Sequence, residues 1–149
     1  MIVGFTGTRN GLTEPQRDAL LDEINQLKPR FWLHGACVGA DAEAVTLVVK
    51  WSFSNHPVRI FALPGKSANG PEEHSLQDER ALYESHVVRE TKTHFARNRD
   101  IVNECNVLVA CPGTMEELDH GGTWYTIRCA RKLNKRVVII WPDGSKLRS

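Results

Sequence analysis

The sequence lacks the features of several protein classes. No apolar run approaches the roughly 20 residues that cross a membrane, so we expect no membrane span. The formal net charge is only +1, because the chain has 19 Lys and Arg and 18 Asp and Glu. Such a chain is a poor general nucleic-acid binder, although a local basic patch is compatible with it. With 41% hydrophobic, 25% charged and 7% aromatic residues, the composition is that of an ordinary globular domain.

Cysteine is sparse, and its spacing argues against a metal or redox site. The four cysteines are Cys37, Cys105, Cys111 and Cys129, and no two form a C-x-x-C pair. Each has apolar neighbours, so we expect small buried side chains in a reducing compartment. The first eleven residues carry neither a basic segment nor a cleavage site, which favours a strand over a signal peptide. We therefore expect a cytoplasmic protein with no cofactor and no metal.

The length and the alternation of apolar runs with helical patterns predict a single α/β domain over residues 1–149. The runs are apolar throughout, as in strands covered on both faces of a sheet. We predict strands at 2–6, 31–34, 58–62, 107–111 and 137–141. We predict helices from the cap at Thr13 to the stop at Pro29, at 40–51, at 78–104 with a break allowed near 89–91, and from 121 to 133. This order predicts a Rossmann-like three-layer domain with a mostly parallel sheet of about five strands.

Ligands of such sheets bind beyond the carboxyl ends of the strands. The loops there are 6–9, 34–39, 63–77 and 112–123, and all four contain glycine. We take 6–9, 34–39 and 112–123 as glycine turns of a ligand site. Glycine lets backbone N–H groups approach an anion, and a following helix adds a favourable dipole. One such turn can be purely structural, but three at one edge favour a phosphate-bearing ligand. We assign to this edge Gly7, Thr8, Arg9, Gly35, Ala36, Gly39, Pro112, Gly121, Gly122 and Thr123.

Several side chains near these turns have both a structural and a ligand-binding interpretation. Arg9 suits a phosphate through its bidentate guanidinium, or is a solvated surface residue. Asp41 caps the second helix, or contacts a ribose hydroxyl. Thr123 and Thr126 lie one helical turn apart and could both offer hydroxyls to a phosphate. Trp124 could stack on a base, but a core position is favoured.

Asn98 is the most informative polar residue, because helical spacing puts it in the middle of an apolar face. That face comprises Phe95, Ile101, Val102 and Cys105. A buried amide must find hydrogen-bond partners. It either fixes a neighbouring loop backbone or braces the ligand loops, with Arg97 and Arg99 at its flanks.

The motifs occur in an order that resembles a known superfamily. They are Gly4-Phe-Thr-Gly-Thr-Arg9, His34-Gly-Ala-Cys-Val-Gly-Ala-Asp-Ala42, Arg97-Asn-Arg-Asp-Ile-Val102, Gly121-Gly-Thr-Trp-Tyr-Thr126 and the segment 137–144. They resemble the SLOG superfamily, which unites the DprA/Smf DNA-processing proteins with the Lonely Guy (LOG) phosphoribohydrolases, and look most like its small stand-alone YspA/YpsA-like members. The resemblance covers about residues 2–144. It implies a Rossmann-like fold that binds a nucleotide or a nucleotide-derived ligand at the glycine turns.

The resemblance leaves the activity open. LOG enzymes carry Gly-Gly-x-Gly-Thr-x-x-Glu, and an alignment on Gly122 puts Thr126 at the glutamate position, as in the DprA pattern. An alternative alignment on 112–117 restores a glutamate but needs a deletion. An N-glycosidase acting on a nucleoside 5′-monophosphate would use a carboxylate to stabilise an oxocarbenium-like state. Glu116, Glu117 and Asp119 are the candidates for that catalytic role.

The sequence also leads to predictions about two kinds of partner, single-stranded DNA and a second copy of the chain. A DprA-type protein would bind single-stranded DNA, but the basic runs at 128–132 and 135–136 are expected to face water. Relatives of this kind commonly pair, and four tryptophans supply aromatic surface, so we predict a homodimer or larger assembly.

Overall fold

A seven-stranded sheet forms the centre of the computed structural model, which describes residues 1–67 and 84–149. The strands are β1 Ile2–Gly7, β2 Phe31–His34, β3 Arg59–Ala62, β4 Gly65–Lys66, β5 Val87–Val88, β6 Lys92–Thr93, β7 Val107–Cys111, β8 Arg136–Ile140 and β9 Lys146–Arg148. The sheet order is β5-β3-β2-β1-β7-β8-β9, and β4 and β6 form a separate two-stranded ribbon. Neighbouring strands are parallel except for the antiparallel pair β8 and β9. The central sheet is therefore mostly parallel, as predicted.

Four helices in the described part of the chain cover the sheet on both faces. They are α1 Glu14–Leu27, α2 Ala40–Ser54, α3 His94–Glu104 and α4 Gly122–Lys132. One apolar cluster packs α1 and α2 against one face of the sheet, through residues such as Ile24 and Val48. A second cluster packs α3 and α4 against the other face, through residues such as Ile101 and Ile127. The result is the predicted Rossmann-like three-layer α/β fold.

The start of α1 is fixed by side chains that the sequence predicted as a cap. Thr13 accepts a hydrogen bond from the Gln16 backbone, and the Gln16 side chain accepts one from the Thr13 backbone. The buried Gln16 amide also donates to the carbonyl oxygens of Pro112, at 2.8 Å, and Ile140, at 3.0 Å. These bonds tie α1 to the carboxyl ends of β7 and β8, where one of the predicted ligand loops begins.

The predicted helix over 78–104 is wrong for much of its length. Residues 94–104 are helical as α3, but 87–88 and 92–93 are short strands, and 78–83 lie outside the described residues. The helix begins only where the Thr93 hydroxyl accepts a bond from the Ala96 N–H. Phe95 is 59% exposed, and its ring contacts Tyr125 at 4.6 Å between centroids, so it does not belong to the buried face.

Cysteine and tryptophan partly follow the prediction. Cys105 and Cys111 are buried, Cys37 and Cys129 are half-buried, and all four are free thiols. Within the described ranges no helix is long and apolar enough to cross a membrane, and no His, Cys, Asp and Glu cluster suits a metal ion. The idea that the tryptophans supply surface is wrong, because Trp32, Trp51 and Trp124 are buried in the core.

The unpredicted strand β9 is held by a buried carboxylate of α1. Glu23 is 1% exposed and accepts hydrogen bonds from both Arg148 guanidinium nitrogens, at 2.8 and 2.6 Å, and from the Lys146 ammonium at 3.2 Å. Burial opposes ionisation, but the hydrogen bonds from Arg148 and Lys146 outweigh it and lower the pKa of Glu23 below its usual 4.5. Because the folded pKa is the lower one, this contribution to stability is present above about pH 4.5 and is lost as the pH falls through the folded value.

We predict that Glu23→Gln lowers the free energy of unfolding at pH 7 by about 1–3 kcal/mol, since two cationic partners lose their charged acceptor. The loss should shrink as the pH falls below about 4.5. Urea unfolding between pH 3 and pH 7 measures both effects. Asp22→Asn is the control, because Asp22 shares Lys146 but its side chain is 60% exposed, and its loss should cost much less stability than the loss of Glu23. Equal losses in the two variants would contradict the role of Glu23.

Candidate functional site

A cavity of about 1000 Å³ opens at the carboxyl edge of the sheet, where the sequence predicted the ligand. Its volume is at the upper end of the usual range for small-molecule sites. The wall is built by the turns after β1, β2 and β7 and by the first turns of α3 and α4. The predicted site residues on this wall are Gly7, Thr8, Arg9, Gly35, Asp41, Arg97, Asn98, Pro112, Asp119, Gly121, Gly122 and Thr123.

Two residues of the second glycine turn lie off the wall, because the backbone there is used within the protein. The Ala36 N–H donates to Nδ1 of His34 at 2.9 Å. Gly39 has a φ of +89°, and a Cβ built on it would lie 2.3 Å from the Arg9 carbonyl oxygen. The next N–H, of Ala40, donates to the Thr8 carbonyl at 3.0 Å. This turn closes against the first glycine turn and leaves no open phosphate cradle at α2.

Thr126 and Arg99 also lie off the wall. The Thr126 hydroxyl donates to the Gly122 carbonyl at 2.8 Å, and the residue is 1% exposed. Its hydroxyl is therefore used inside α4 and is not offered to a ligand. Arg99 has an exposed side chain and does not line the cavity.

The three candidate catalytic carboxylates do not converge on the cavity. Glu116 is exposed and lies off the wall. Glu117 pairs with Arg131 at 3.3 Å and with Arg128 at 3.7 Å, also off the wall. Asp119 lines the rim, but its side chain is 99% exposed and pairs with His120 at 2.8 Å. The hydrogen bond from His120 lowers the pKa of Asp119, so this carboxyl is ionised at neutral pH.

Arg97 braces the floor of the site from inside, although the sequence placed it at a flank. It is 6% exposed, and its Nη1 donates to the carbonyl oxygens of Gly35, at 2.9 Å, and Leu63, at 3.3 Å. Its Nη2 lies 3.1 Å from Nδ1 of His94. A Cβ at Gly35 would lie 2.2 Å from Nη1, so glycine is needed there for the guanidinium to approach. Arg97 thus joins α3 to the ends of β2 and β3.

Asp41 supports the same turn and is not the predicted helix cap, since Gly39 is the N-cap residue of α2. One carboxylate oxygen accepts bonds from the N–H groups of Gly35, at 3.1 Å, and Cys37, at 3.2 Å. Burial raises the pKa of Asp41, although the positive charge of Arg97 acts against that rise.

His34 and Cys37 are held in their neutral forms. Burial and the charge of Arg97 lower the pKa of His34 to about 3. Because its Nδ1 accepts the Ala36 N–H, its Nε2 carries the proton, and Nε2 lies 2.9 Å from the Ser85 hydroxyl. Burial and the nearby Asp41 raise the pKa of the Cys37 thiol to about 11, so it is a poor nucleophile at neutral pH.

The amino terminus of α4 is open. Gly121 is the N-cap residue, with a φ of +96° and no side-chain capping bond. A Cβ built on Gly121 or Gly122 would meet nothing within 4 Å. The first N–H groups of a helix have no partner within the helix and carry a partial positive charge. Arg128 supports the preceding loop by donating to the Leu118 carbonyl at 2.9 Å. This helix start can therefore receive an anion.

Asn98 lies on the wall and is 8% exposed. Its side-chain amide makes no hydrogen bond within residues 1–67 and 84–149, and its polar atoms keep access to the cavity. The bonds to loop backbone that were one interpretation of Asn98 are made by Arg97 instead.

Sequence reasoning did not name the residues of the wall that follows β3. Lys66, Ser67, Thr93 and His94 line it, next to the ribbon of β4 and β6. The loop 63–77 was expected at this edge, and Lys66 after a Pro-Gly turn was the available signal. The described wall carries four cationic side chains (Arg9, Lys66, Arg97 and Arg128) and two anionic ones (Asp41 and Asp119). The cavity is therefore net positive and suits an anionic ligand.

We predict that Arg97→Gln lowers the free energy of unfolding by about 2–4 kcal/mol, because the carbonyl oxygens of Gly35 and Leu63 lose a charged donor in a buried place. Thermal and urea unfolding measure this change. Arg99→Gln is the matched control two residues along α3, where the side chain is exposed, and it should change stability by under about 0.5 kcal/mol. A wild-type stability of the Arg97 variant would show that the brace is dispensable.

Comparisons with known proteins show the fold. No family model and no curated protein matches the chain. Three solved structures are similar over most of it. The molybdenum cofactor binding protein from the phototrophic bacterium Rippkaea orientalis is 19% identical, with a TM-score of 0.64 over 94% of this chain and 76% of its own. The structural genomics target TM1055 is 17% identical, with a TM-score of 0.58 over 92% and 72%.

The third structure is DNA processing protein A (DprA) from Streptococcus pneumoniae, which is 14% identical with a TM-score of 0.63. The match covers 93% of this chain and 49% of DprA, so the chain spans about half the length of that protein. These neighbours agree with the motif resemblance in the sequence. The chain thus shares its fold with these three solved structures.

Proposed function

We propose that this protein binds a nucleotide or a nucleotide-derived ligand, with a phosphate at the start of α4. The observation that carries the proposal is the open helix terminus at Gly121 and Gly122, where a Cβ would meet nothing within 4 Å. Uncapped N–H groups at a helix start bind phosphate through hydrogen bonds and the helix dipole. Thr123 lines the cavity directly after these glycines and adds a hydroxyl.

The charge and size of the cavity support the same proposal. Arg9 and Lys66 line it and make no ion pair or side-chain hydrogen bond within residues 1–67 and 84–149. A volume of about 1000 Å³ leaves room for a base and a sugar beside the phosphate. One protein with the same fold is named as a molybdenum cofactor binding protein, which supports a small-molecule partner for this one.

Native mass spectrometry of freshly purified protein tests the proposal, because a tightly held ligand survives gentle purification. We expect a bound mass in the nucleotide range. Calorimetry with AMP, GMP, ADP and ADP-ribose then measures affinity for defined probes. Absence of any bound mass together with no heat from all four probes would overturn the proposal.

We predict that Gly122→Val and Arg9→Ala abolish nucleotide binding while the fold stays cooperative. The valine side chain would fill the space in front of α4, and the alanine would remove a cationic partner of the phosphate. Because that space is empty in the unliganded protein, Gly122→Val should leave the melting temperature within a few degrees of wild type. Calorimetry measures binding, and circular dichroism measures melting.

The control for Arg9→Ala is Arg99→Ala, which removes an equal charge from an exposed position off the cavity wall. It should keep near-normal affinity. Wild-type affinity in both Gly122→Val and Arg9→Ala would place the ligand elsewhere.

We predict no release of free base from AMP, GMP, CMP or UMP. Glu116 and Glu117 lie off the cavity wall, and Asp119 is engaged with His120 at the rim, so none of the three candidate carboxylates is set inside the cavity. Chromatography after overnight incubation is the assay, with Glu116→Gln, Glu117→Gln and Asp119→Asn alongside. Free base from the wild type that disappears in one of these variants would establish an N-glycosidase instead.

Two further predictions concern binding of single-stranded DNA and self-association. Binding of single-stranded DNA would weaken steeply as salt rises, whereas binding of a small ligand in the cavity would change little. The basic residues of the last helix are partly engaged, since Arg131 pairs with Glu117 and Arg128 holds the Leu118 carbonyl. A homodimer or larger assembly in the cytoplasm remains the expected state, and light scattering would test the assembly.

A further inference from the structure

Asn98 is a buried amide that the described residues leave without a partner. It lies one turn into α3 and lines the cavity beside the apolar side chains of Phe5 and Ile101. Only 8% of the residue is exposed. Its polar atoms keep access to the cavity. A ligand that displaces water there must therefore bond this amide, because an unmet buried polar group costs free energy.

Two other buried polar side chains on this wall, Arg97 and Asp41, bond to groups other than Asn98. Arg97 donates to Gly35, Leu63 and the His94 ring. Asp41 accepts from two backbone N–H groups. Rearranging either of them to serve Asn98 would break bonds that hold the floor of the cavity.

We infer that Asn98 is a specificity-determining residue that contacts the ligand itself. This inference rests on the proposed function and deepens it. An amide offers one acceptor oxygen and two N–H donors side by side. Its partner on the ligand is therefore a group that presents a donor next to an acceptor. In a nucleotide, the vicinal hydroxyls of the ribose and the amine-bearing edge of a purine both have this chemistry.

The melting temperature of the unliganded protein distinguishes a ligand-binding role of Asn98 from a structural one. Leucine has the same branched arrangement of four side-chain heavy atoms as asparagine, is larger, and needs no hydrogen bond. If the amide serves only a ligand, Asn98→Leu keeps or raises the melting temperature of the unliganded protein, by up to about 4 °C. If the amide holds the protein together, the same change lowers it.

The binding arm uses AMP, 2′-deoxy-AMP, 3′-deoxy-AMP and purine riboside 5′-monophosphate, which lacks the exocyclic amine. We expect Asn98→Leu to weaken AMP binding about 10- to 100-fold, the usual effect of an unmet buried hydrogen bond. One analogue should bind equally to the wild type and the variant, because it lacks the group that Asn98 contacts. A deoxy analogue with this behaviour assigns the ribose, and the purine riboside assigns the base.

Asn103→Leu is the matched control, since Asn103 lies on the same helix with an exposed side chain. It should bind AMP as the wild type does. Asn98→Ala serves as a second variant in case leucine disturbs packing. Melting is measured on protein that was unfolded, dialysed and refolded to remove any bound nucleotide.

The results of these measurements decide for or against a ligand contact of Asn98. A melting temperature lowered in both Asn98 variants, or unchanged affinity for AMP in both, overturns the inference. Equal penalties for AMP and all three analogues also overturn it, because Asn98 would then act on the cavity as a whole. If the wild type binds none of the four probes, the proposed function fails, and the melting of the Asn98 variants still decides whether the amide is structural.

Discussion

A buried guanidinium holds together the edge of the sheet where the cavity lies. Arg97 leaves α3 and donates to carbonyl oxygens at the ends of β2 and β3. Burying a charge is costly, and the buried Nε of Arg97 has no acceptor among the described residues, but the nearby Asp41 carboxylate lowers that cost. The position of Arg97 in turn requires glycine at 35, because a Cβ there would lie 2.2 Å from Nη1. The same charge helps to keep His34 neutral, which fixes the hydrogen bond to Ala36.

The sequence predicted the parts of the fold that have a long, regular pattern. Five strands are continuous apolar runs, and their positions agree with the structure to within about two residues. The capping pair Thr13 and Gln16 marks the start of α1. The errors lie where elements are short. A strand of two residues such as Val87–Val88 has no periodicity to detect, and β9 is stabilised by the distant Glu23, which no local pattern reveals.

The site was predictable in outline because parallel strands bring their carboxyl ends together. What the sequence could not separate was glycine needed for a ligand from glycine needed for packing. Gly39 packs against the Arg9 backbone, whereas Gly122 faces open space, yet both precede or begin a helix. The helical step placed Asn98 on the buried face correctly. The same reasoning failed for Phe95, because α3 begins at His94 and its first turn lies outside the packed interface with the sheet.

The amino termini of the four described helices differ in how they are capped, and the difference supports the proposed position of the ligand. Threonine side chains cap α1 and α3, and the Thr8 carbonyl accepts the first N–H of α2. Only α4, among these four, begins at an uncapped glycine pair that faces the cavity. Gly122 costs up to about 1 kcal/mol relative to alanine within a helix, and glycine in place of a capping side chain costs a few tenths of a kcal/mol more. Asn98 on the same wall has a side-chain amide that bonds to no other described residue. An open helix start and an unbonded amide on one cavity are typical of a surface shaped by what it binds.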